Sequence, residues 1–405
     1  MKNLEAYYGL PNEVMFCKKC VISNQRPSST IEFKSDIKEK KSVIDFNSEG
    51  ICSACSYQEE KESNINWLGR EQKLLKLLDQ FRSNDGSYDV IVPGSGGKDS
   101  AFTAHVLKYK YGMNPLTVTW SPHLYTDIGW ENMQEWMHTG GLDNILYTPN
   151  GILHREMTKN AFHNLLHPFQ PFIVGQRIIG PMMAKRFGVK LVMYGENQAE
   201  YGNAIEENTN PIMNANFFSS NDDVLSMKFG GVEMKHYIES GNYKKEDFLP
   251  YIAPKKSDLA NLGIEVHYLG YYIKWDPQEC YYYAVENTGF KANPIRTEGT
   301  YSKYSSIDDK IDPFHYYTTL IKFGIGRCTY DAAQEVRNGK ISRDEAVYLV
   351  NKYDTEFPKL YFQDFLKYIS TSEEEFWKTI DKFRSPHIWK NEGGEWKLRN
   401  KISII

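Results

Sequence analysis

No apolar run in the chain approaches the ~20 residues needed to span a bilayer, and the first residues lack the basic-then-apolar pattern of a secretory leader. These absences exclude a helical membrane protein and make a cytosolic one the expectation. Basic runs are equally scarce. The densest is Lys38-Glu39-Lys40-Lys41, and the net charge is −4. A protein whose main partner is nucleic acid presents a basic face, so that class is disfavoured. Cysteine is sparse as well, with 6 in 405 residues. Four of these fall in the first 60 positions as Cys17-Lys18-Lys19-Cys20 and Cys52-Ser53-Ala54-Cys55.

Two familiar phosphate loops are also missing. Around Gly97-Lys98, a Walker A loop needs glycine where Val92 stands and Ser or Thr where Asp99 stands. A dinucleotide fingerprint needs its third glycine at Asp99. What is present is Pro93-Gly94-Ser95-Gly96-Gly97-Lys98-Asp99-Ser100, preceded by the apolar run Tyr88 to Val92 and followed by a helical pattern in which Phe102, Val106 and Tyr109 share a face. A strand, a glycine turn and a helix start let backbone N–H groups approach an anion closely. Ser-Gly-Gly-Lys-Asp-Ser resembles the pyrophosphate loop (PP-loop) of the N-type ATP pyrophosphatases. The resemblance implies that Ser95, Gly96, Gly97 and Ser100 donate to pyrophosphate, Lys98 adds charge, and Asp99 holds Mg²⁺.

The remaining chain fits an α/β protein. Strands are expected at 116–120, 144–147 and 190–194, alternating with helices, which implies a parallel sheet with ligands at the strand C-termini. Trp120 then stands on the adenine side of a nucleotide or in the core. Glu196 and Glu200, in Gly195 to Asn203, share a face if that turn is helical; they complete Mg²⁺ binding or orient an amine, or else lie on a solvated helix end. Gln176 and Arg177 are further substrate-contact candidates. His154, His163 and His167 carry no adjacent carboxylate and are read as core or surface residues.

The two Cys-x-x-Cys knuckles are poor disulfide candidates in a reducing compartment and good thiolate ligands. Cys17, Cys20, Cys52 and Cys55 are therefore expected to hold a structural Zn²⁺, with a hairpin strand at 43–47 and a turn at Gly50. A sulfur-carrying or redox role is the competing reading. Trp67 to Phe81 predicts an amphipathic helix. Residues 201–300 have no clear period and read as a lid or substrate insertion. Tyrosine is abundant (28 residues) and suits either stacking walls or a bulky core. The C-terminal third reads as helical, with capping signals at Ser342 and Ser372. Lys322 and Arg327 flank a glycine turn there, as anion clamps or as surface charge.

Taken together, the knuckles, Ser95 to Ser100, Gly195 to Gly202 and Phe323-Gly324-Ile325-Gly326-Arg327 with Asp331-Ala332 and Glu335-Val336-Arg337 resemble the bacterial N-acetyl sugar amidotransferases of surface-polysaccharide and nonulosonic-acid biosynthesis. The resemblance implies ATP, Mg²⁺ and conversion of an acetamido to an acetamidino group. It also implies ammonia from a separate glutaminase subunit, with a cyclase-like barrel partner. The chain itself shows no glutaminase set, since Cys280 and Cys328 lack a glycine-flanked nucleophile context. The implied order is a zinc-ribbon-like module (1–60), a linker helix (61–86), a PP-loop α/β domain (87–203), an insertion (204–300) and a helical C-terminal region (301–405). A tRNA-thiolating PP-loop enzyme and a non-catalytic scaffold subunit are the alternatives.

Overall fold

The computed structural model describes residues 4–33, 37–38, 40–203, 210–220 and 223–404. Glu39 of the basic stretch and the opening 204–209 of the expected insertion lie outside the described residues. In the N-terminal module the chain makes isolated bridges, Phe16 to Ser23, Pro27 to Val43 and Phe46 to Cys52, in place of the expected hairpin strand. Gly50 does turn there, at φ +80°. Helices α1 (Ser53–Ser63) and α2 (Trp67–Phe81) follow. Asn66 caps α2 by accepting from the Gly69 N–H, and Leu74 and Leu78 bury its apolar stripe.

Strand β1 (Val90–Pro93) leads into α3 (Lys98–His105), which loosens into a π-turn over Val106–Lys110. The extra residue in that turn rotates Tyr109 outward, so it leaves the face expected for it with Phe102 and Val106 and is 57% exposed. Next come β2 (Pro115–Trp120), α4 (Asp127–His138), β3 (Asp143–Tyr147), α5 (Gly151–Leu165), α6 (Gln170–Phe187) and β4 (Leu191–Tyr194). The hairpin β5 (Lys228–Phe229) and β6 (Val232–Glu233) precedes α7 (Met234–Glu239) and α8 (Lys256–Leu262). Strand β7 (Glu265–Tyr268) is followed by α9 (Leu269–Tyr272) and α10 (Pro277–Thr288).

The main sheet has five parallel strands in the order β3-β2-β1-β4-β7. Its fifth strand is a finding against the sequence reading. Residues 201–300 are not only insertion, because they return β7 to the sheet beside β4. Glu265-Val266-His267-Tyr268 is four residues long with polar side chains at two of them, too short and mixed to give a period. Helix α10 then packs on α3, where Phe102 meets Trp275 and Tyr283 edge-on at 5.4 and 5.0 Å.

The C-terminal part holds α11 (Asp312–Phe323), α12 (Arg327–Arg337), α13 (Arg343–Tyr353), α14 (Phe362–Tyr368) and α15 (Glu373–Lys382). Ser342 and Ser372 form the two expected capping boxes. This region is not purely helical, since β8 (Trp389–Glu392) and β9 (Glu395–Leu398) close it as an antiparallel hairpin. The N-terminal module is not free-standing either. Val21, Ile22, Ile44 and Ile51 share one core with Ile325, Ala332, Val347 and Val350 of the C-terminal helices. No helix of the described residues is long and apolar enough to cross a membrane.

Helix α6 lies flat on the sheet because Gly175 leaves room for the indole of Trp120. A Cβ at Gly175 would stand 2.2 Å from that ring. Gly175→Ala is expected to destabilise the protein by about 1–3 kcal/mol through overpacking, read as a lower denaturant midpoint with an unchanged slope.

Candidate active site

The chain runs outward from β1 to β2 and β3, then crosses back to place β4 on the other side of β1. Adjacent parallel strands whose connections leave in opposite directions open a crevice at their C-terminal ends. The segment after β1 is Gly94 to Ser100, and the segment after β4 is Gly195 to Gly202. Both line one cavity of about 1060 Å³.

The loop is shaped by close approach. A Cβ on Gly94 would lie 2.2 Å from the Ser100 Cβ, and Gly96, at φ +81°, would bring one within 3.0 Å of the Asn132 carbonyl on α4. Gly97 caps α3 with no side-chain partner, so the first-turn N–H groups stay available to an anion. The Ser100 hydroxyl donates to the Gly97 carbonyl at 3.0 Å. Lys98 Nζ pairs with both oxygens of Asp99 at 2.8 and 2.6 Å. Burial alone would lower the Lys98 pKa, but the Asp99 and Glu196 carboxylates reverse this and raise it. The Asp99 carboxylate, 36% exposed, is open to a cation on the cavity side.

Glu196 joins this group at the end of β4. Burial, reinforced by Asp99 and opposed by Lys98, pushes its carboxyl up to about 8. Burial also raises Asp308, and lifts Asp312 to about 7 against the pull of Arg327. Raised carboxyls beside a cleft, with Glu196 and Asp308 on its wall, mark a candidate functional site.

Glu200 is elsewhere. Gln198–Tyr201 is a 3₁₀ turn capped by Asn197, not an α-helix, so Glu196 and Glu200 do not share a face. The Glu200 side chain, 3% exposed, receives Lys61 Nζ at 2.9 and 3.0 Å, and that ammonium also donates to the Trp275 carbonyl at 2.8 Å. Glu200 therefore ties α1 to the sheet. Trp120 sits in the core, 3% exposed, stacked on Tyr147 at 5.5 Å and edge-on to Tyr251 at 5.2 Å. It does not line the cavity.

Lys322 and Arg327 do line it. The Lys322 ammonium bonds Glu32 at 2.6 Å and the Leu165 carbonyl at 2.8 Å. Arg327 pairs with Asp331 at 3.1 Å and stacks over Tyr316. Gln176 and Arg177 are also on the wall. Sequence reasoning missed two further walls. One is the N-terminal stretch around Arg26 to Phe33 with Lys40 to Ser42. The other runs from Ser302 to Asp308. Neither carries a spacing signal, because both are irregular loops brought to the site only by packing.

The four knuckle cysteines form a second, separate group, buried and with ligand atoms all within 4.8 Å of one another. Cys17 and Cys55 sulfurs are 3.8 Å apart, and those of Cys20 and Cys52 are 3.7 Å apart. Four sulfurs at ~2.3 Å from one tetrahedral ion stand ~3.8 Å apart, so the spacing suits a single metal ion. Backbone N–H groups of Lys19, Cys20 and Cys52 point at the Cys17 sulfur, as a thiolate requires.

The fold is that of an α/β protein with a five-stranded parallel sheet, and its loop after β1 resembles the PP-loop. Residues 298–403, about a quarter of the chain, match the family model described as "LPS biosynthesis protein WbpG-like, C-terminal domain". Among solved structures the chain is similar to NMN synthetase from Francisella tularensis, at 13% identity and TM-score 0.30, covering 72% of this chain and 94% of that one. It is also similar to the U34-tRNA thiolase NcsA from Methanococcus maripaludis with its 4Fe-4S cluster, at 17% identity and TM-score 0.30, covering 77% and 88%. NH₃-dependent NAD synthetase from Campylobacter jejuni matches over 32% of this chain at 18% identity and TM-score 0.26, and the match spans 56% of its own length. No curated protein matches the chain.

Two outcomes follow from this geometry. Cys17→Ser should lose the bound metal, so elemental analysis of purified wild type and variant would differ; full metal content in the variant would contradict the four-sulfur site. The Glu196 carboxyl holds its proton more tightly in the folded chain than in the unfolded one. Its contribution to stability is therefore present below the unfolded value and lost as pH rises through about 8. In cation-free buffer, Glu196→Gln should flatten the fall in stability between pH 6 and 8, measured by denaturant titration at each pH.

Proposed function

We propose that this protein is an ATP-dependent, AMP-forming amidotransferase that converts the acetamido group of an N-acetylated sugar into an acetamidino group, in surface-polysaccharide or nonulosonic-acid biosynthesis. One observation carries the reading. The anion-ready loop after β1 and residues of the WbpG-like region, including Ser302 to Asp308, Tyr316 and Arg327, wall the same cavity. Its volume of about 1060 Å³ is at the upper end of single-ligand pockets, which leaves room for a nucleotide and an acceptor together.

The chemistry needs an activated amide, because an amide carbonyl is a poor electrophile with a poor leaving oxygen. The acetamido oxygen attacks the α-phosphorus of ATP, giving an O-adenylyl imidate and pyrophosphate. Backbone and hydroxyl donors of Ser95, Gly96, Gly97 and Ser100 receive the pyrophosphate, and Lys98 offsets its developing charge. Ammonia then adds to the imidate carbon, AMP departs with the former amide oxygen, and the amidine remains. Glu196, at the end of β4, would in its ionised form accept the proton that the attacking nitrogen sheds. Asp99 is the residue that would hold Mg²⁺, which when bound neutralises phosphate charge. Cys17, Cys20, Cys52 and Cys55 would hold a structural Zn²⁺ that keeps the N-terminal wall folded. Ammonia is supplied by a separate glutaminase subunit, with a cyclase-like barrel as a further partner.

A tRNA-thiolating role is less well supported. Cys280, the cysteine nearest the loop, is 1% exposed and its thiol pKa is raised by burial, the opposite of a sulfur carrier.

Incubation with ATP, ammonium and a panel of N-acetylated sugars should yield AMP and a product lighter by about one dalton, as expected when O is replaced by NH. Asp99→Ala should abolish AMP release without unfolding the protein, read as a retained cooperative melting transition. Release of ADP instead of AMP would remove the reading.

A further inference from the structure

Seven of the cations that line the cavity divide into two groups. Lys98, Arg327 and Lys340 each have a carboxylate of their own, in Asp99, Asp331 and Asp276. Glu196 and Asp308 add further carboxyls to the cavity wall, which suits a magnesium-bound nucleotide. The second group is Arg26, Lys41, Arg177 and Lys322, and it is not balanced.

Lys41 and Lys322 share one carboxylate, Glu32 Oε2, at 2.5 and 2.6 Å. Arg177 donates to the Ser29 carbonyl and lies over the Phe217 ring, with tyrosines as its other polar neighbours. Arg26 is 5% exposed, packs over Tyr330, and has a buried Nη1 that meets no acceptor. Neither arginine makes an ion pair among the described residues. A buried guanidinium without a counter-ion is expensive to maintain unless something else supplies the charge. Burial brings Lys322 down to about 7 even with Glu32 beside it, which is the behaviour of an under-compensated cation.

We propose that Arg26, Lys41, Arg177 and Lys322 form a second anion site in the cavity, separate from the pyrophosphate loop, which takes a carboxylate or phosphate carried by the acceptor substrate. Guanidinium forks suit both groups, since each presents two oxygens to paired N–H donors. That the acceptor is a sugar rests on the function proposed above; the existence of the anion site does not. Because Arg26 is carried by the N-terminal module, that module contributes directly to binding as well as to folding.

The test is direct binding without ATP. Glucose 1-phosphate, glucuronate and neutral glucose are titrated into the full chain by calorimetry. At least one anionic sugar should bind while glucose does not, and which of them binds separates phosphate from carboxylate. Arg177→Gln and Arg26→Gln should weaken that binding about tenfold or more, while Ser95→Ala leaves it unchanged. Lys41→Gln, which removes a cation while leaving both arginines in place, is the further variant should either arginine change fail to fold. Anionic sugars binding no better than glucose, or no binding by either at about 10 mM, would overturn the site. So would binding lost in Ser95→Ala but kept in Arg177→Gln. Loss of metal from Arg26→Gln with sugar binding unchanged would assign that arginine to the cysteine group and also overturn the site as drawn. Absence of AMP formation alongside intact anion binding would instead count against the amidotransferase reading.

Discussion

Glycine backbone packs directly against its neighbours at the C-terminal ends of two neighbouring parallel strands, and the rest of the site depends on that contact. Gly94 lies under Ser100, Gly96 presses on α4, and Gly195 fits against Trp275 and Thr103. Any side chain at these positions would have to occupy space already filled, so the loop could not reach its position between α3 and α4. Since the first turn of α3 is uncapped by side chains, the same compression that shapes the loop leaves its N–H groups unspent. Geometry and anion affinity thus have one cause.

A second constraint holds the outer walls in register with the loop. Lys61 on α1 reaches Glu200 and the Trp275 carbonyl, while the Ser53 hydroxyl donates to the Gly202 carbonyl at 2.9 Å. Removing one member of such a buried ion pair leaves the other charged and unsatisfied, so the link is maintained as a unit. The cysteine module is therefore anchored to the chain immediately after β4. On its other side it shares a core with α12 and α13, and Arg343 reaches the Cys17 carbonyl. Segments distant in the chain are joined around one cleft, and the C-terminal region contributes wall rather than appendage.

Much of this was legible beforehand. The loop could be read because its chemistry is local: six consecutive residues between an apolar run and a helix specify strand, turn and helix start together. The four cysteines were legible because metal ligation needs close pairs, and the helix caps at Ser342 and Ser372 because capping is a short-range hydrogen-bond pattern. Helix α2 came out at Trp67–Phe81, as its apolar spacing predicts. Where the reading failed, the deciding contacts were distant. β7 is a strand because β4 offers it an edge, and its own four residues carry no period. Glu196 and Glu200 diverge because Asn197 caps a tighter turn than the spacing assumes.

What the amino-acid sequence determined alone, then, is structure encoded within a few neighbouring residues: the glycine-serine loop, the cysteine knuckles, the caps and the alternation that demands a parallel sheet. Tertiary structure alone decided which charges meet. It sent Glu200 to Lys61 and Trp120 into the core, and it brought Arg26, Glu32 and Asp308 from opposite ends of the chain to one cavity. Burial and ion pairing are properties of a folded surface, and no local spacing records which distant segment will close over a given side chain.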